Sequence, residues 1–258
     1  MRRFLVLATI VTVVSTAAAT SAAAASGAAP ARAASGGAAA AGPTLSVSSN
    51  LSNRRYAASG DRAYELGTED GRYPAMGFHT RGEMGGIWTP PIKLLDGIWF
   101  GVNGQWIGPA TTFTSGFGYV HMALPSTGGV QLSRTDFAPD GRRAVEIGLT
   151  LSAGSQAANV NLNVDAHSEL MSAYPWGFTK PDQTTFNLPD KAAFNGKQLV
   201  FTDTGTPPTA NASPHAWAAI VGATGLVPAS ACTTWPTWRR ARATARRSSG
   251  PTARPRPW

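Results

Sequence analysis

Between Thr44 and Gly225, apolar residues recur at every second position far more often than at helical spacing. Val145, Ile147, Leu149 and Leu151 alternate with Glu146, Gly148 and Thr150. Val160, Leu162, Val164 and Ala166 alternate with Asn161, Asn163, Asp165 and His167. Each run places one face on a core and the other toward water or a neighbour, as half-buried strands do. Turn-forming pairs fall between such runs: Asp70-Gly71, Asn103-Gly104, Asp140-Gly141 and Asn195-Gly196. These pairs supply the positive φ angles of tight hairpins. Ile98–Val102 and Gln105–Ile107 flank one of them; Leu132–Phe137 and Arg143–Leu151 flank another. Short strands punctuated by Gly and Pro predict an all-β fold, an antiparallel β-sandwich over residues 44–228. A domain of that length buries roughly 70% of its unfolded surface, enough for a core of its own.

The two ends follow other patterns. Met1-Arg2-Arg3 is a short cationic start, Phe4 to Val14 is apolar, and small residues follow with Ala-x-Ala choices ending near Ala25. That order predicts a secretory signal peptide over residues 1–25 and an extracellular product, with no membrane attachment after cleavage. Residues 26–43 are almost wholly Ala, Gly, Ser and Pro and read as a linker. Residues 229–258 read as a disordered basic tail: from Cys232 onward there are seven arginines and four prolines, and no acidic residue, Leu, Ile, Val or Phe. Three readings stand for that tail. It is a basic arm for nucleic acid or membrane, with Trp235 and Trp238 as stacking groups; or an ordinary solvated tail; or the product of a shifted frame in GC-rich DNA. The last makes the chain the N-terminal fragment of a longer protein.

Charge changes the picture only after it is divided. The chain of 258 residues carries 22 Lys plus Arg against 14 Asp plus Glu, a net +8. Ten of the cations lie in the leader, linker and tail, so residues 43–231 hold 12 basic and 14 acidic groups, 12 − 14 = −2. A basic nucleic-acid-binding fold is disfavoured, and no nucleic-acid partner is expected. The one cysteine, Cys232, excludes an internal disulfide framework and a cysteine-cluster zinc site.

Three stretches carry a resemblance. They are Glu69-Asp-Gly-Arg-Tyr-Pro-Ala-Met-Gly-Phe-His-Thr-Arg-Gly-Glu-Met-Gly-Gly-Ile-Trp-Thr-Pro-Pro-Ile-Lys-Leu-Leu-Asp-Gly-Ile-Trp-Phe100, Arg134-Thr-Asp-Phe-Ala-Pro-Asp-Gly141 and Val164-Asp-Ala-His-Ser-Glu-Leu-Met-Ser-Ala-Tyr-Pro-Trp-Gly177. Together they resemble the N-terminal, supersandwich-like β-domain of secreted bacterial proteins related to glycogen-debranching enzymes. Those proteins continue into a six-hairpin (α/α)6 glycosidase-type domain. The resemblance spans Leu45 to Ala223 and implies a carbohydrate-active parent, with the catalytic acids in a barrel that this chain lacks. Twelve helices of roughly 12 residues each do not fit into the stretch after Ala223.

Chemistry-bearing residues are weighed against that background. Glycoside hydrolysis needs two carboxyl groups across the scissile bond. Glu65, Glu69 and Asp70 cluster before a turn, and Glu83 and Asp96 bracket a Trp-Pro-Pro segment, but spacing places no pair at the required separation. No catalytic residue is assigned, and no cofactor or metal is called for. On a strand, Asp165, His167 and Glu169 share one face, which suits a polar strand surface, a domain-docking surface or a metal site. Trp88, before Pro90-Pro91, and Trp176, after Pro175, are the aromatics best placed to meet a sugar ring or a partner. The candidate binding or interface set is therefore Tyr73, His79, Glu83, Trp88, Asp96, Asp165, His167, Glu169 and Trp176. Its expected partner is the (α/α)6 domain of the parent. In the alternative, a stand-alone carbohydrate-binding module, it is a glycan.

Overall fold

The computed structural model describes residues 6–15, 42–74, 84–153, 160–172, 188–195, 198–208, 213–223, 229–232 and 242–246. Of residues 6–15, 153, 229–232 and 242–246, only the backbone is described. All strand pairs are antiparallel, and the only helical turn among the described residues is a 3-10 turn at Leu51–Asn53. The all-β antiparallel expectation holds.

Nine strands make the first sheet. Their order is β13 (Lys191–Phe194), β14 (Gln198–Gly205), β15 (His215–Ala223), β1 (Val6–Ser15), β11 (Ala144–Ala153), β10 (Val130–Phe137), β9 (Tyr119–Thr127), β8 (Thr112–Gly116) and β2 (Leu45–Val47). The second sheet runs β16 (Ala229–Cys232), β17 (Arg242–Arg246), β12 (Leu162–Ser172), β6 (Ile92–Val102), β5 (Gly86–Thr89), β4 (Tyr64–Thr68) and β3 (Arg55–Ser59), with β7 (Gln105–Trp106) folded back on β6.

The alternation seen in the sequence becomes the core. Val145, Ile147, Leu149 and Leu151 of β11 are buried with Val120 and Met122 of β9 and with Leu199 and Phe201 of β14. Leu162, Val164 and Ala166 of β12 and Ile98, Phe100 and Val102 of β6 join the same cluster from the second sheet. Full burial of one such aliphatic side chain is worth about 1.5–3 kcal/mol, so the two interleaved rows hold the layers together. Two of the predicted turns join paired strands, Asp140-Gly141 between β10 and β11 and Asn103-Gly104. Asn103 and Gly104 join β6 to β7 with φ of 51° and 82°, the double positive φ that favours Asn-Gly.

Strands are also described at both ends. The apolar part of the leader is strand β1, inserted between β11 and β15. Within the basic tail, Ala229–Cys232 and Arg242–Arg246 pair with each other, and the latter also pairs with β12. Composition gave no sign of these strands, because backbone pairing along a sheet edge needs no apolar side chain.

Candidate functional site

Burial on one side of β6 fixes what the other side offers. With Ile98 and Phe100 in the core, Gly97 and Trp99 face away from it. Trp99 pairs in register with Asp165, and Gly97 with His167. The Trp99 and His167 rings lie 4.5 Å apart between centroids, and His167 Nε2 lies 3.6 Å from an Asp165 carboxylate oxygen. Tyr73 meets Trp99 edge-on at 5.9 Å. Gly97 makes room for this group: a Cβ there would stand 2.7 Å from the Trp99 ring and 2.8 Å from that of Tyr73.

Register shifts against β5 and β12 flank the Lys93 end of β6. They break the two-residue period, and Lys93 pairs with Trp88 and Met171, neither of which belongs to the core between the sheets. Its ammonium is wholly buried, bonds to Glu169, lies 3.2 Å from Asp96 and sits 5.7 Å from the centroid of the Trp88 ring. Trp88 stacks on Tyr64 at 6.1 Å, and its indole N–H donates to the Met84 carbonyl.

The sequence candidates therefore divide. Tyr73, Trp88, Asp96, Asp165, His167 and Glu169 are brought to the outer face of the second sheet or its margin, in two adjoining groups. His79, Glu83 and Trp176 lie outside the described residues. Asp165 and His167 stand together as period two requires, whereas Glu169, past the shift after His167, closes on Lys93 instead. Trp88 is 6% exposed and packed rather than open. Among the described residues, no group of three or more His, Cys, Asp or Glu is placed to hold a metal ion.

A second polar assembly went unread in the sequence. Arg134 and Asp136 of β10 point into the sandwich and meet Glu65 of β4 from the opposite sheet. The Tyr73 hydroxyl donates to Glu65, and the Arg134 guanidinium also reaches Glu65 and the Gly71 carbonyl. Burial, reinforced by the Asp136 charge, pushes the Glu65 carboxyl up to about 8, against the pull of Arg134 and Tyr73. Burial thus favours the neutral form of Glu65 beside Arg134. Burial likewise raises Asp190 to about 8, with the Asp203 and Glu169 charges adding, although Ser168 and the Leu170 N–H bond to it. Nearby, Asp203 lies 3.2 Å from His215, which stacks on Trp217. The available signal was an interruption: Val130-x-Leu132-x-Arg134-x-Asp136 sets two charges on an otherwise apolar face.

Chemically, the polar groups on this side of the sheet are compensated and largely buried. Lys93 answers Asp96 and Glu169, and His167 answers Asp165, so each carboxylate stands beside a basic group. Such an arrangement orients and docks; an acid–base pair for hydrolysis needs carboxyl groups aimed at a shared substrate. Comparison with family models, curated proteins and solved structures returns no significant match.

Proposed function

We propose that residues 44–228 are the N-terminal accessory β-sandwich of a secreted glycoside-hydrolase-like protein, acting in carbohydrate metabolism and debranching α-glucans. The leader exports it, the sandwich braces a six-hairpin catalytic barrel supplied by the rest of the parent, and the chain alone is inactive.

The observation that carries the reading lies on the side of β6 and β12 away from the core, where half-buried Trp99, His167 and Asp96 stand over the buried Asp165, Lys93 and Glu169. Their rings and charges are held in fixed contacts before any partner arrives. Preorganised aromatic and paired polar groups suit a stable domain interface, where ordering costs are met in advance. The long sequence motifs supply three of its strands: β5 and β6 lie in the first, β12 in the third.

The test is association. The downstream domain, expressed separately, should bind the full chain, and Trp99→Ala should weaken binding by about tenfold or more. Unchanged affinity for that variant would remove the outer face from the interface.

One observation favours a second reading, a carbohydrate-binding module. Trp99 is only half buried, and Asp165 and His167 stand beside its ring. An aromatic face beside hydroxyl-binding groups is what a sugar needs. Titration with a soluble α-glucan separates the two: saturable binding lost in Trp99→Ala supports the module.

A further inference from the structure

Without β1, the nine-stranded sheet falls into two parts, β13–β14–β15 and β11–β10–β9–β8–β2. Each part is built from strands that follow one another closely in the chain, β2 excepted. The edges left facing each other, β15 and β11, stand two strand spacings apart, about 10 Å. Each edge would then carry a row of backbone N–H and C=O groups without ladder partners, the arrangement that captures an added strand.

The geometry of this gap specifies its occupant. It must run antiparallel to both walls. Val13 is the register partner of Val145 on one side and Val221 on the other; Val11 partners Ile147 and Ala223. Val145, Ile147 and Val221 are buried inner-face residues, so the occupant needs apolar residues at those alternate positions. On the outer face the walls offer Glu146, Gly148, Thr150 and Gly222, which are half-buried or exposed and demand nothing apolar.

At the inner positions Val6–Ser15 offers apolar Leu7, Val11 and Val13 but polar Thr9 and Ser15, whose register partners Leu149 and Ala219 are buried; it is also apolar at Val6, Ile10 and Val14, whose partners on β11 are Ser152, Gly148 and Ala144. The leader's residues thus fit the slot only in part, whereas its backbone pairs with both walls. That is the behaviour of a site recognising backbone and one apolar face.

We propose that the gap between β11 and β15 is an exchangeable strand-acceptor site for an extended polypeptide with apolar alternate residues. Val6–Ser15 fills it in the intact chain. The acceptor property stands on the sheet alone. Its consequence, that a docked leader is withheld from export until displaced, rests on the secretory reading.

The test begins from the full chain with a protease site substituted into residues 26–41, folded and then cut. The fragment bearing Val6–Ser15 should remain with the body through size exclusion. A labelled peptide of residues 4–17 should replace it, and the same peptide with Val11→Pro, which loses a ladder N–H, should compete at least about tenfold less well. Immediate loss of the fragment, with amide exchange in β11 and β15 unchanged, would overturn the proposal. Retention of the fragment by a precursor that no cell exports would leave the site standing and remove the secretory reading instead.

Discussion

Arg134 of β10 and Glu65 of β4 meet across the two sheets, guanidinium nitrogen to carboxyl oxygen, at 2.9 Å with both side chains buried. The contact joins strands far apart in the chain and fixes how the layers face one another. It also places two carboxyl groups, Glu65 and Asp136, on one arginine. A proton on Glu65 settles that imbalance, consistent with its carboxyl being pushed up to about 8.

Stability should therefore fall as pH rises. Glu65 titrates near 4.5 in the unfolded chain and about 8 when folded. The native state binds the extra proton between those values, so its contribution is full below 4.5 and lost as pH rises through 8. Asp190, raised from 3.8 to about 8, acts in the same sense. Each proton sets a slope of at most about 1.4 kcal/mol per pH unit. Glu65→Gln keeps the geometry without the titration and should flatten the decline; denaturant melts from pH 5 to 9 read it directly.

Lys93 is the buried cation of the outer face. Lys93→Met should cost about 3–5 kcal/mol, because Glu169 then loses its buried cationic partner. Adding Glu169→Leu should recover most of the loss, as a packed apolar pair replaces a desolvated ionic one. Equal instability of the single and double variants in urea titration would contradict this.

Gly97→Ala should displace the Tyr73 or Trp99 ring, because both lie within 3 Å of the added carbon. Overpacking of that kind costs about 1–3 kcal/mol, and the near-ultraviolet dichroism of the aromatic group should change. Gly148→Ala is the control: its Cβ would stand 3.6 Å from the Thr135 carbonyl, an ordinary contact.

Much of the frame was legible because the period was clean. The runs Val145–Leu151 and Leu162–Ala166 became β11 and the start of β12 with their apolar residues inside. Asn103-Gly104 became the turn it promised. The features that escaped notice broke a pattern or had none. Lys93 alternates with the core residues Ile92 and Leu94 inside an otherwise apolar run, so a lone buried cation is easily passed over. The register shift after His167 separates Glu169 from the Asp165–His167 pair. Val6–Ser15 shows no alternation, so its sequence resembles a leader rather than a strand. The facing of Glu65 and Arg134 depends on how two sheets stack, and no local pattern encodes that.

Resequencing the gene from codon 220 through well beyond the stop, and translating all three forward frames, tests the central claim most directly. The expected result is a reading frame that continues through twelve helices, roughly 150 residues or more, with paired carboxylates. A genuine stop, with no helical continuation in any frame, would contradict the accessory-domain reading and leave glycan binding at the Trp99 face as the function to pursue.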